Sequence, residues 1–434
     1  MTVEQAGMPI FRKKRILIPM IEVGGGHKSI GLAIRDAIER QYPGECEMAV
    51  VDFPRACGAV HVDRWIKSFW SMALAHPVAT NRLNGLMDNM HRIARSNTFT
   101  RVLNTDFVQK GSRFLRDYQP DLIIATHWFC TSVAVFAREK YRLDCRIVSH
   151  VNDPFRANSL WVNPLADEVI VCSENAREHM IRLGQPPASM TVMPFPINSR
   201  FFDPISRTRE DILLSLGLDP KRMTVLASSG GEGIGNTESY IRELYLSGIP
   251  INIIAVCGRN ERMLREMRLL AARSSIIRFA PLGFVDNMNE LAFAADIGLA
   301  KAGPSSMLEM LSKGCPVMIT HVAHHAEQGN LDFVEREGLG WDVRDHSTFE
   351  VLLAQLQEPG FLEPVRQRIC GDPYIRSLPD GAARLAVYLI EGMKEPRKAK
   401  RTHEHAFLAH VRFVERRRRL DRRRRKMNRK RLEP

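Results

Sequence analysis

No run in this 434-residue chain approaches the ~18 to 20 uncharged apolar residues that a membrane-spanning helix needs. The segment Met1–Lys14 holds no apolar core of signal-peptide length, so secretion is not expected. Eight cysteines (Cys46, Cys57, Cys130, Cys145, Cys172, Cys257, Cys315 and Cys370) are scattered, and none forms a C-x-x-C pair. That spacing speaks for a reduced, cytosolic protein without a structural zinc site. His321, His324 and His325 lack a carboxylate or cysteine at ligand spacing, so no metal site is expected. There is no short-period repeat, and no low-complexity segment before residue 394. What the chain does have is 44% apolar residues, enough for two or three buried cores.

The net charge of +13 is not shared out evenly. Residues 394–434 hold 18 Lys and Arg against 5 Asp and Glu, which accounts for all of it. The body before them carries 44 charges of each sign. Any basic interaction signal therefore belongs to the tail.

Through the body, apolar runs alternate with helical patterns, as in α/β layering. Strands are expected at 16–19, 47–51, 122–125, 146–150 and 168–171, then at 224–227, 251–256, 276–281, 297–300 and 316–320. Helices are expected between them, including 29–39, 131–140, 175–183, 238–247, 261–272 and 305–313. Pro194, Pro196 and the Asp203-Pro204 pair break the pattern. The division is residues 1–200, residues 205–393 and a basic tail over 394–434. A last helix over 381–393 is placed to pack back across the junction. Within the long insertion 54–119, Val62, Trp65, Ile66, Phe69, Trp70 and Ala73 recur at helical spacing. The stripe reads as an amphipathic helix on the core, and its aromatic face also suits a membrane or an apolar acceptor.

Two glycine turns occupy equivalent places in the two halves. Gly24-Gly25-Gly26-His27-Lys28-Ser29 follows the first strand and opens a helical pattern. Gly230-Gly231-Glu232-Gly233-Ile234-Gly235 follows the strand at 224–227. A strand, a glycine turn and a helix place backbone N–H groups and a helix start against an anion. His27 at such a turn is a candidate general base. Lys301-Ala302-Gly303-Pro304-Ser305-Ser306 opens a helix with proline where a missing N–H does no harm. Ser305 and Ser306 then face a phosphate, and Glu309 one turn on is placed to accept both hydroxyls of a ribose. Glu327 and Asn330 begin the next helix, at the sheet edge where sugar hydroxyls would lie. Two nucleotide-type folds facing one cleft is the build of an enzyme that moves a sugar from a nucleotide donor.

These motifs, with Gly283-Phe284-Val285 and Glu327-Gln328-Gly329-Asn330, resemble the plant monogalactosyldiacylglycerol synthases and the bacterial diacylglycerol glucosyltransferases. They are more distantly similar to the peptidoglycan N-acetylglucosaminyltransferase. The resemblance runs from about residue 15 to 390. It implies an α/β GT-B fold of two Rossmann-like domains, with 1–200 facing the acceptor and membrane and 205–393 binding the donor. It implies a UDP-hexose donor, no required cofactor, inversion at the anomeric carbon and a lipid acceptor such as diacylglycerol. By the same resemblance His27 is the base or acceptor-side residue and Asp153 assists it. Gly25 and Gly26 form the first ligand turn. Gly231 and Gly233 lie near the donor phosphates, and Phe284 and Val285 present backbone groups to uracil. Ser305 and Ser306 meet the diphosphate, Glu309 the ribose, and Glu327 with Asn330 the hexose. His127 falls at a family histidine position. Where the family often has Pro-Gly-Gln before the sugar-motif Glu, this chain has His324-His325-Ala326, which leaves galactose and glucose both open.

The cationic clusters Arg416–Arg419 and Arg422–Lys426 would draw the protein to anionic lipid, which suits a peripheral enzyme on the inner face of the membrane. Nucleic acid is the less favoured partner for the same charge. A UDP-sugar epimerase and transfer to a polyprenyl-linked acceptor are the rival readings.

Overall fold

The computed structural model describes residues 12–23, 25–75, 105–228, 230, 236–273, 276–323 and 325–394. Its framework is two six-stranded sheets in which every pairing is parallel.

The first sheet contains β1 (Lys14–Met20), β2 (Cys46–Asp52), β3 (Leu122–Ala125), β4 (Arg146–His150), β5 (Glu168–Val171) and β6 (Met190–Val192). Its order is β2-β1-β3-β4-β5-β6. The second contains β7 (Thr224–Ser228), β8 (Asn252–Val256), β9 (Arg278–Leu282), β10 (Ile297–Lys301), β11 (Val317–His321) and β12 (Gly340–Asp342). Its order is β12-β11-β10-β7-β8-β9. β3, β5, β7 and β8 are buried along their whole length, as expected of parallel strands covered by helices on both faces. The ten expected strands all form. β6 and β12 escaped the sequence reading because three residues are too few to show a period.

One apolar cluster runs through both halves. It joins Ile16 and Ile34 of the first half to Leu226 and Met310 of the second, by way of Leu385 and Leu389 of the last helix. That helix spans Pro373–Lys394, eight residues earlier at its start than the sequence reading placed it. Pro379, Asp380 and Gly381 look like a helix stop. Buried Leu378, Ala382, Leu385, Ala386 and Leu389 carry the apolar stripe straight across them, and packing overrides the local preference. Gly381 is there because the backbone passes close to another segment: a Cβ would lie 2.8 Å from the Phe195 carbonyl oxygen. The helix packs on the helix Gly26–Gln41 and on Pro304–Ser312, so it touches both halves. Its Tyr388 hydroxyl donates to Glu168 at the start of β5.

The helix Val60–Ala75 follows β2. Its apolar stripe divides. Val62 is buried and Ile66 packs on the core, but Trp65 is 61% exposed. Phe69, Trp70 and Ala73 lie outside the residues whose side chains are described. Lys67 pins this helix to the sheet, pairing with Asp52 at 2.9 Å and Asp63 at 2.6 Å. Among the described residues, no helix is long and apolar enough to cross a membrane.

Candidate active site

In an open parallel sheet, a crevice forms at the carboxyl ends of the strands where the strand order reverses. In the first sheet that point lies between β1 and β3. The helix Gly26–Gln41 starts there, capped by Gly25 without a side-chain bond and with no acidic residue in its first turn. Its first N–H groups therefore keep their capacity for an anion. His27 sits on this turn. Its Nδ1 lies 2.6 Å from the carbonyl oxygen of Thr126, just past β3. A carbonyl only accepts, so Nδ1 carries the proton and Nε2 is the basic nitrogen. Asn152, just past β4, donates from Nδ2 to the same Thr126 oxygen at 2.7 Å and approaches His27 Nδ1 to 2.7 Å.

The His127 ring stands 4.9 Å from that of His27. Burial, together with the neighbouring His27, pushes its pKa well below the usual value, so it is neutral. Its Nδ1 accepts from the Phe129 N–H at 3.1 Å, which puts the proton on Nε2. Lys28 holds Glu22 at 2.7 Å and draws that carboxyl downward. Asp153, the expected helper of His27, accepts from the Trp161 indole at 3.0 Å. Its neighbour Asn152 meets His27 on the shared Thr126 carbonyl.

In the second sheet the order reverses between β7 and β10. Gly230 follows β7, and Gly231 and Gly233 lie outside the described residues. β10 shifts register against β11 between Ala300 and Lys301, a bulge of the kind that re-aims side chains beside a site. The helix Pro304–Ser312 then begins with Pro304 in its first turn, Gly303 as its cap and no acidic residue in that turn. It offers a second open helix start. The Ser305 Oγ is buried with no hydrogen-bond partner. A Cβ on Gly26 would lie 4.0 Å from that same oxygen, so the two helix starts face each other across the crevice. Glu309 stands one turn in, and burial pushes its carboxyl up to about 7. Ser306 is half-buried beside Ser305. Phe284 is 59% exposed beyond β9, with the Arg259 guanidinium 4.5 Å from its ring centre, and Val285 packs on the core.

Glu327 and Asn330 are almost fully buried. Glu327 accepts from Lys301 Nζ and from the Ala323 N–H, each at 2.7 Å. Asn330 donates to the Ala302 carbonyl at 2.7 Å, while its Oδ1 is buried without a partner. Both side chains thus brace the 301–303 turn that leads into the second helix start. Lys301 is itself held by Glu327.

The two halves meet again beyond Asn152. Phe155 stacks on Phe333 at 4.0 Å and lies 4.9 Å from the Tyr374 ring. Arg156 donates to His325 Nε2 at 2.6 Å. A Cβ on Gly329 would come within 2.5 Å of the Arg156 Cβ and 3.1 Å of its backbone nitrogen, so only glycine admits this approach. The loop that carries Asn152 is therefore seated on the helix Gln328–Arg336 of the other half. Among the described residues, no group of three or more His, Cys, Asp or Glu is placed to hold a metal ion.

Two family models match separate parts of the chain. Residues 27–197 match the model of monogalactosyldiacylglycerol (MGDG) synthase, and residues 237–360 that of the glycosyltransferase family 28 C-terminal domain. A probable monogalactosyldiacylglycerol synthase of Nicotiana tabacum is 25% identical over 75% of this chain and 61% of its own length. A processive diacylglycerol beta-glucosyltransferase of Staphylococcus epidermidis is 24% identical over 61% of this chain and 69% of its own. The chain thus spans about three-fifths of the length of the plant synthases it matches. Among solved structures, MurG of Acinetobacter baumannii superposes with a TM-score of 0.54 at 14% identity, covering 87% of this chain and 99% of MurG. UDP-GlcNAc 2-epimerase from Neisseria meningitidis gives 0.56 at 12%, covering 87% and 100%. These last two share the fold, the two-domain GT-B architecture. The chain is thus similar to the MGDG synthase model in its first half and to the glycosyltransferase family 28 C-terminal domain model in its second.

Proposed function

We propose that this protein is an inverting glycosyltransferase that moves glucose or galactose from a UDP-sugar to the free hydroxyl of diacylglycerol. The observation that carries the reading is the facing of two open helix starts across one crevice, with a basic imidazole nitrogen on one and a desolvated carboxylate on the other. The helix start at Pro304 and the Ser305 and Ser306 hydroxyls receive the diphosphate. Glu309 accepts from the ribose hydroxyls, and Phe284 with Val285 borders the uracil. Glu327 and Asn330 hold the turn beneath the hexose.

In the reaction, the acceptor oxygen attacks the anomeric carbon from the face opposite UDP. The bond from that carbon to the β-phosphate oxygen breaks, and UDP leaves with the electron pair. The acceptor proton passes to His27 Nε2. Helix N–H groups stabilise the charge that grows on the leaving diphosphate, and holding both reactants in line removes much of the entropic barrier. No step calls for a metal.

The names of the relatives support the lipid acceptor. An epimerase shares the fold but needs no lipid, and the matched sequences are named for transfer. The test offers UDP-glucose or UDP-galactose with diacylglycerol in vesicles and identifies the product by mass spectrometry. A hexosyl diacylglycerol supports the reading. UDP-sugar turnover that yields only an epimerised nucleotide, or a product on a polyprenyl acceptor alone, rejects it.

Exposed Trp65 stands on the helix that leaves β2 at the crevice edge, where an aromatic ring suits the lipid headgroup zone. The tail supplies charge worth ~1 kcal/mol per basic residue near an anionic surface. We place the protein on the inner, cytoplasmic face of the membrane as a peripheral enzyme. Deleting residues 394–434 is expected to cut binding to vesicles with 30% anionic lipid at least about tenfold and leave UDP-sugar hydrolysis in solution unchanged. The difference shrinks as salt rises. Equal vesicle binding by the shortened chain would reject the role of the tail.

A further inference from the structure

We infer that Asn152 is the positioning residue for His27, fixing the Thr126 carbonyl on which the imidazole is hung. The inference rests on the reading of His27 as the base. Asn152 Nδ2 and His27 Nδ1 stand 2.7 Å apart, and with the proton on Nδ1 both donate to the Thr126 oxygen, from 2.7 and 2.6 Å, and not to each other. A carbonyl oxygen has two lone pairs, and here one donor takes each. Behind Asn152, His150 Nδ1 lies 3.0 Å from Asn152 Oδ1. His150 is fully buried, and burial pushes its pKa down to about 4, so it is neutral. Its Nδ1–H donates to Oδ1, and this sets which end of the amide faces Thr126. The bonds form one directed series, from His150 to Asn152 to the Thr126 carbonyl, which also receives His27. Asn152 does not reach the reacting atoms; it acts through the ring that does.

The loop itself has no freedom to let the amide drift. Three residues on, Phe155 is stacked on Phe333, and Arg156 is bonded to His325. The orientation of the base in one half is thereby tied to the helix of the other half that follows Glu327. Other charged or titratable groups near the His27 turn are His127, the Lys28–Glu22 pair and Asp153 in the same loop as Asn152.

The test reads the ring directly, by nitrogen-15 NMR of His27 in the full chain without substrate. The wild type is expected to hold the Nδ1–H tautomer. In Asn152→Ala the Nε2–H form gains a share, and kcat falls at least about tenfold while affinity for UDP-glucose stays within about twofold. In Asn152→Asp the carboxylate accepts from Nδ1–H directly, so the Nδ1–H tautomer and more of kcat are retained than with alanine. An Asn152→Ala protein with the wild-type tautomer and kcat overturns the inference, and so does one whose donor affinity falls in step with kcat. If the alanine variant does not fold, an Nε2–H tautomer in Asn152→Asp overturns it. Because the NMR reading needs no substrate, it stands apart from whether a glycolipid is formed.

Discussion

Replacing Glu309 by alanine is expected to weaken UDP-glucose binding at least about a hundredfold, and glutamine at least about tenfold. Two hydroxyls donating to one ionised carboxylate give hydrogen bonds worth ~1.5–3 kcal/mol each, so two orders of magnitude is the low end for their joint loss. The glutamine variant should also do something less usual: it should be more stable than the wild type without ligand. Burial raises the Glu309 carboxyl from 4.5 to about 7, so the folded state binds a proton more tightly than the unfolded state. Stability from that proton is complete below about pH 4.5 and is lost as pH rises to about 7. At pH 8 the wild type carries the full cost of the ionised group, on the order of 3 kcal/mol at most. Glutamine is neutral and avoids it.

The same carboxylate sets a pH dependence of binding. The donor needs it ionised, so affinity for UDP-glucose should rise about tenfold between pH 6 and 8, with release of a proton. Calorimetry in two buffers and urea melts at pH 5 and pH 8 check both statements. A glutamine variant that binds UDP-glucose normally, or that gains nothing in stability at pH 8, would remove the ribose role.

His27→Ala is expected to lower kcat about 10²–10⁴-fold, the range for loss of a placed general base, with UDP-glucose affinity changed less than about twofold. The two substitutions are therefore complementary. One removes binding of the donor, and the other removes the chemistry and leaves binding intact. Single-turnover transfer on vesicles, set beside calorimetric donor binding, separates them. An alanine variant with near-normal kcat would move the base elsewhere in the crevice. One that loses donor binding would make the glycine turn a donor site only.

Much of this arrangement could be read from the chain itself, because the signals were local. The ten longer strands are apolar runs bounded by turn residues, and the helix start at Pro304 announces itself through Gly303, Pro304 and two serines. Glu309 followed from its distance along that helix. What the chain could not reveal depends on partners far away in sequence. Asn152 meets His27 on the Thr126 carbonyl across 125 residues of sequence, and no spacing rule reaches that far. Glu327 and Asn330 sit at the expected sheet edge, yet their bonds to Lys301 and Ala302 appear only once β10 and β11 are neighbours. The last helix was begun too late because Pro379 is a strong local breaker, and the buried face that overrides it exists only against both halves. The stripe on Val60–Ala75 divides for the same reason: periodicity locates a helix, but the core decides which of Val62, Trp65 and Ile66 it covers.

The most direct measurement of the central claim is the anomeric configuration of the hexose in the product made from UDP-α-glucose or UDP-α-galactose and diacylglycerol in anionic vesicles. Attack across the crevice from the face opposite UDP, with His27 taking the proton, predicts a β-linked hexosyl diacylglycerol. An α-linked product, or turnover of the UDP-sugar that leaves diacylglycerol untouched, would contradict it.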